Sequence, residues 1–230
     1  MVAIRDKDSS VTSGDGPFTQ RIELGRKSAS GLVLFDNFLS KEDADKVMIL
    51  FDSRQTFPWV AFPSVAGTSH PQNAYLYPRQ KASKAKLMGT DPNHLESIAK
   101  LEELCRSLEG ELDVKVSDVY CSRYVPNHYS KSWHNDSNAK HAIMLVLGAA
   151  QAIQFQNLKT NAVDEVMPQA GDLLFIPYGV SVATKHRICP AAKDNTVNRL
   201  TFTFFVDLPS YAPREYRITT KSKLKSLFAS

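Results

Sequence analysis

The chain has 230 residues, 43% of them hydrophobic and 23% charged, and carries a net charge of +4. That length suits one domain with a sizeable core, and that balance excludes a disordered chain. The mild positive excess permits a polyanionic partner without requiring one, and the longest apolar stretch, residues 142–155, is broken by Gly148, Gln151 and Gln154, so it does not read as a bilayer span.

Residues 1–20 are polar, with Ser-Gly and Gly-Pro pairs, and read as a flexible N-terminal tail. They contain no apolar signal core, and their acidic residues argue against a transit peptide, so the expected location is cytoplasmic or nuclear. Residues 31–36 read as a strand. Residues 38–51 read as a helix with Ser40 as N-cap, Glu42 and Asp43 in its first turn, and Ala44, Val47, Met48 and Phe51 on one face. Residues 55–90 show little periodicity and hold several prolines and aromatics. They are expected to be a substrate lid, the alternative being a loop that roofs the core. Residues 92–108 carry the 3.6-residue apolar stripe of a second helix, Leu95, Ile98, Leu101, Leu104, Cys105 and Leu108, with Gly110 as its stop.

From Val114 the pattern changes to short strands divided by Gly, Pro and Asn turns: 116–125, 142–147, 152–155, 172–176, 180–185 and 199–206. Two helices followed by such a series predict an α+β chain with a β sandwich, barrel or jelly roll. Residues 21–209 make the domain, and 210–230 a basic tail containing Arg214, Arg217, Lys221, Lys223 and Lys225. Three widely spaced cysteines, Cys105, Cys121 and Cys189, point to reduced thiols rather than a disulfide framework.

Chemistry concentrates in the β half. In an extended strand, residues two apart point the same way, so His134 and Asp136 converge on one point. Two histidines and a carboxylate on one face of an ion are the ligand set of non-haem Fe(II) oxygenases, and His186 is the candidate for the third ligand. Further on, Arg199, Thr201 and Thr203 share one face of a strand, and Leu200, Phe202 and Phe204 the other. A guanidinium on an inward face must be paired, and its fork fits a carboxylate at two points. No obvious protein acid sits nearby in the sequence, so a ligand carboxylate is the expected partner.

His134-x-Asp136, the later His186 and Arg199 together resemble the Fe(II)- and 2-oxoglutarate-dependent dioxygenases, and within them the AlkB family. Ser122-Arg-Tyr-Val-Pro resembles the run ahead of that family's metal strand, residues 143–155 resemble its Leu-Gly strand pair, and Gly171-Asp172 its Gly-Asp turn. The resemblance implies a double-stranded β-helix (jelly roll) core with the N-terminal helices packed on one sheet. It implies iron held by His134, Asp136 and His186, and 2-oxoglutarate held by Arg199, Thr201, Tyr124 and Ser122. It further implies use of O2 to oxidise a substrate C–H bond, with loss of formaldehyde where that bond belongs to an N-methyl group.

Two departures stand out. Ser122 replaces the family's asparagine, and no second arginine follows Arg199, that place falling on Thr203 or Phe205. The region 75–83 resembles the nucleotide-recognition lid of AlkB-type demethylases. It suggests Tyr75 or Tyr77 as a base-stacking residue, Arg79 as a substrate contact, and DNA or RNA with methylated bases as partner. The alternatives are that these tyrosines pack on the core, and that the enzyme hydroxylates a protein side chain or small metabolite. A monomer without membrane attachment is expected. Trp133, next to the metal strand's histidine, is expected in the core, and His94 and His141 are expected to be packing or surface residues.

Overall fold

The computed structural model describes residues 25–61, 72–78, 92–126, 132–135, 140–192 and 194–208. Both tails, Arg79 and Asp136 lie outside these residues.

Among the described residues, two antiparallel sheets face one another. The larger takes strands β1 (Arg26–Lys27), β2 (Val33–Phe35), β3 (Val60–Ala61), β4 (Gln72–Pro78), β5 (Lys115–Tyr124), β6 (His141–Gly148), β9 (Leu173–Ile176) and β11 (Arg199–Asp207). Their spatial order is β1-β2-β9-β6-β11-β5-β4-β3. The smaller consists of β7 (Ile153–Asn157), β8 (Val163–Val166) and β10 (Thr184–Ile188) in the order β10-β7-β8. Helices α1 (Lys41–Phe51) and α2 (Leu95–Leu112) cover the outer face of the larger sheet, and a short α3 (Tyr178–Ala183) precedes β10. No described helix is long and apolar enough to cross a membrane.

The larger sheet is therefore buried on both faces, and alternation along each strand divides the core in two. Leu200, Phe202, Phe204 and Val206 of β11 meet Ala44, Val47 and Phe51 of α1 and Leu101, Leu104 and Leu108 of α2 in one cluster. The opposite face carries Val146, Met144, Leu174 and Tyr124, which pack against Ile153, Phe155 and Ile188 of the smaller sheet. The edge-to-face pair Phe51–Phe202 joins α1 to the sheet at a centroid distance of 4.9 Å, and Phe51–Phe57, at 5.0 Å, ties α1 to the segment that follows it.

The first helix begins as the sequence predicts. Ser40 Oγ accepts from the Asp43 backbone N–H at 3.1 Å, satisfying one orphan donor. The second helix runs past its expected stop. Gly110 lies inside it, and Asp113 ends it in the left-handed conformation at φ 50°. Leu112, buried beside Leu108, adds core contact that outweighs the helix-breaking tendency of glycine. Within the aperiodic region 55–90, β3 and β4 belong to the larger sheet, and Phe57, Trp59, Tyr75 and Tyr77 are buried in the core, while the rest of the expected lid lies outside the described residues. A strand is also missed at β8, and residues 180–185 divide between α3 and β10. The apolar residues of 178–183 suit either conformation, and only packing against the site decides it.

Gly171-Asp172 has a structural task. Gly171 lies at φ +92°, and a Cβ there would sit 2.6 Å from the Leu39 carbonyl oxygen. Asp172 Oδ1 accepts from the Asn37 backbone N–H at 2.9 Å and Oδ2 from that of Gln169 at 2.8 Å, so the turn fixes the entry to β9 against the start of α1.

His141 is a packing residue, stacked on Phe175 at 5.8 Å, with Nδ1 accepting from the Tyr178 backbone N–H at 3.2 Å. Burial pushes its pKa down to about 4, against the opposite pull of Asp207. The folded state holds it neutral while the unfolded chain protonates near 6.5, so stability is full above that pH and falls as acid is added. The expected slope is about 1.4 kcal/mol per pH unit between roughly 6.5 and 4. Urea midpoints at several pH values should show this slope in the wild type and lose most of it in His141→Phe.

Candidate active site

The inner face of the larger sheet and the smaller sheet opposite it carry the predicted polar residues. Register places them in rungs. Arg199 pairs with Tyr124 on β5 and Gly148 on β6, and Thr201 pairs with Ser122 and Val146. Directly paired residues of antiparallel strands share a face. Arg199, Tyr124, Thr201 and Ser122 thus form a two-rung polar group, and each is nearly fully buried. The rungs further along β11 hold Thr203 and Phe205, so this face carries no second arginine on that strand.

The arginine is only partly satisfied. Its Nη1 donates to the Gln151 carbonyl at 2.9 Å, while Nε and Nη2 have no partner among the described residues. Burial pushes its pKa down to about 10, with Tyr124 acting in the other direction, so it remains a cation at neutral pH. A buried donor left unmade costs about 1–3 kcal/mol, and more on a charged group. Two such donors on one guanidinium describe a place built for an anion that brings paired acceptors.

The histidines meet across a bridge between strand ends. His134 N–H donates to the His186 carbonyl at 3.0 Å and His186 N–H to the His134 carbonyl at 2.7 Å. Their rings lie 4.1 Å apart between centroids. His186 is buried, with its ring stacked 5.5 Å from Phe155, which pairs with it in the smaller sheet. His134 Nδ1 lies 3.0 Å from the Ser132 carbonyl. A proton on Nδ1 donates there, and that tautomer carries its lone pair on Nε2, the arrangement a metal-binding imidazole uses. Among the described residues no three His, Cys, Asp or Glu side chains gather as a metal site. The described part contains the two imidazoles, and Asp136 lies outside it.

Asn135 lies between the two residues of the His-x-Asp triplet, where the sequence offers it or Lys131 as a residue lining the pocket mouth. Its amide donates to the carbonyls of Ser181 at 3.0 Å and Thr184 at 2.8 Å. These are carbonyls at the end of α3, which lack helical partners of their own. The side chain thus braces the His134 segment against the strand that carries His186. Asn135→Asp keeps the size but removes both donations. It is expected to weaken Mn(II) binding by about tenfold, the scale of an outer contact that orients a ligand, with the melting temperature nearly unchanged. Equilibrium dialysis checks this.

Other sequence expectations change. Tyr75 and Tyr77 are buried on the helix-facing side of β4, not on the face with Arg199 and His186. Tyr77 Oη donates to Glu102 on α2 at 2.9 Å, and Tyr75 packs edge-on to Phe57 at 5.0 Å. Neither can stack on a base at the histidine pair, and the core reading of the two tyrosines is correct. Trp133 is not in the core. It is half-buried on the outer side of β10, with the Arg187 guanidinium 4.6 Å from its ring and Lys185 Nζ at 5.7 Å. Because His186 points inward, its neighbours 185 and 187 point outward, and Trp133 lies with them.

The structure is similar to OsALKBH1, with a TM-score of 0.50 and 14% identity over 78% of this chain and 98% of that one. It is also similar to a Pseudomonas putida prolyl-4-hydroxylase, with a TM-score of 0.48 and 15% identity over 76% of this chain and 92% of that one. No family model matches the sequence, and no curated protein matches it significantly. The likeness to OsALKBH1 is one of fold.

Proposed function

We propose that this chain is an Fe(II)- and 2-oxoglutarate-dependent dioxygenase. The observation that carries the reading is the pair of unsatisfied nitrogens on buried Arg199, on the inner face of the larger sheet, together with the abutting imidazoles of His134 and His186 at the smaller sheet that faces it. A guanidinium set back from two imidazoles fits a keto diacid whose far carboxylate meets the arginine. His134, His186 and Asp136 would hold the iron, and Arg199, Tyr124, Thr201 and Ser122 the cosubstrate. The iron, when bound with 2-oxoglutarate, supplies O2 activation coupled to decarboxylation, yielding succinate and an oxidised substrate C–H bond. The chain itself binds, orients and excludes water: Phe155, Val146 and Ile188 line an apolar surround, while Tyr124 and Arg199 set the acid's direction.

The substrate we propose first is an N-methylated base of DNA or RNA, where hydroxylation of the methyl group releases formaldehyde. With Tyr75 and Tyr77 in the core, this reading rests on the resemblance of the His-x-Asp, His and Arg pattern and on the basic residues of 79–86, including Arg79. Hydroxylation of a protein side chain or small metabolite is the second reading, favoured by the site-facing Thr203 and Phe205 where a second arginine would stand. The test measures succinate release with iron and 2-oxoglutarate against methylated oligonucleotides, peptides and metabolites. Stimulation by methylated oligonucleotides with equimolar formaldehyde supports the first substrate, and stimulation by peptides or metabolites alone supports the second. Absence of both succinate release and 2-oxoglutarate binding would refute the oxygenase itself.

A further inference from the structure

Among the described residues, the buried side-chain polar atoms without a hydrogen-bond partner are Tyr75 Oη, Arg199 Nε and Nη2, and Gln151 Nε2 and Oε1. All but the tyrosine oxygen belong to two residues in direct contact, because Arg199 Nη1 donates to the Gln151 carbonyl. Gln151 is 2% exposed, so solvent does not satisfy its amide. It sits in the link from β6 to β7, where the chain passes from the larger sheet to the smaller. That link is pinned on both sides, by Ala149 N–H to the Asn198 carbonyl at 3.0 Å and by Cys189 N–H to the Ala152 carbonyl at 2.8 Å. The glutamine is therefore held at the end of β11 beside Arg199 by a fixed backbone.

A guanidinium offers only donors, whereas an amide offers donors and one acceptor. A carboxylate held by Arg199 beside Gln151 brings acceptors for the unmade N–H groups of both residues. A neutral amide adds a contact without a second positive charge, which suits a single carboxylate end. We infer that Gln151 is a second cosubstrate-binding residue, its amide donating to the carboxylate that Arg199 grips and selecting a keto diacid over a keto monoacid. This rests on the oxygenase reading above and adds to it a residue that confers acid selectivity.

The test uses the full chain loaded with Mn(II) without oxygen. Dissociation constants are measured by calorimetry for 2-oxoglutarate and for 2-oxovalerate, which has the same chain length and a methyl group in place of the far carboxylate. Gln151→Leu is expected to weaken 2-oxoglutarate binding by about tenfold and leave 2-oxovalerate unchanged, the size of one hydrogen bond to a charged group. Gln151→Glu should weaken 2-oxoglutarate by about 100-fold through like charge, again sparing the monoacid. If both acids weaken alike, Gln151 only supports the fold locally, and the inference is overturned. It is likewise overturned if neither variant changes 2-oxoglutarate binding while Arg199→Met does. If the wild type does not prefer the diacid and Arg199→Met has no effect, the oxygenase reading falls together with this one.

Discussion

His186→Ala is expected to abolish turnover and to lower Mn(II) or Fe(II) affinity by more than about 100-fold. Loss of an outer contact alone costs 10- to 100-fold, and a direct ligand costs more. The reason is geometric. His186 is buried at the inner face of β10, held by Phe155 on one side and by the imidazole of His134 on the other. Backbone hydrogen bonds in both directions couple the positions of the two histidines. His134→Ala should behave alike. The fold should survive, since truncating one side chain beside an aromatic ring falls within the usual range of about 0.5–3 kcal/mol. Equilibrium dialysis under nitrogen, with circular dichroism to check folding, makes the measurement. A folded His186→Ala protein that retains wild-type metal affinity would remove the histidine from the site.

Arg199→Ala separates cosubstrate binding from metal binding. Its two unsatisfied nitrogens match the far carboxylate of the proposed cosubstrate, and breaking a desolvated charged pair costs about 2–5 kcal/mol. The KM for 2-oxoglutarate should therefore rise by at least about 30-fold, while Mn(II) affinity stays within about twofold. Stability should respond little. Removing a buried cation with unmade donors offsets part of the cost of the cavity. Steady-state succinate release over a range of 2-oxoglutarate concentrations reads the first quantity and dialysis the second. An unchanged KM in this variant would mean that the guanidinium serves the fold alone.

The candidate site was legible from ligand chemistry more than from shape. The triplet at His134, the distant His186 and the alternation around Arg199 could each be read without coordinates, because side-chain type and strand period carry that information. Gln151 left a trace as well, a polar amide interrupting an apolar run, but an interruption on the surface would look the same. Asn135 could be placed near the pocket mouth by its position in the triplet, but its bracing contacts left no trace, since its two acceptors are backbone carbonyls of residues 46 and 49 positions away.

Tyr75 and Tyr77 show where sequence reasoning stops. Their spacing establishes that they share a face of a strand. Which face meets the helices is not written in the strand itself, because the larger sheet is buried on both sides and its residues lack the polar contrast that marks a solvent face. Likewise, residues 178–183 carry no periodicity that separates helix from strand, and in the fold they form a short helix packed on β6 and β10. The amino-acid sequence by itself determined which chemical groups are present and which neighbours along a strand point together, since those follow from covalent geometry. Only the tertiary structure decided that two imidazoles 52 positions apart in the chain touch, that an arginine and a glutamine share one buried corner, and that two tyrosines turn away from it. Those outcomes depend on strand register and on the facing of two sheets, which arise from long-range packing rather than local sequence.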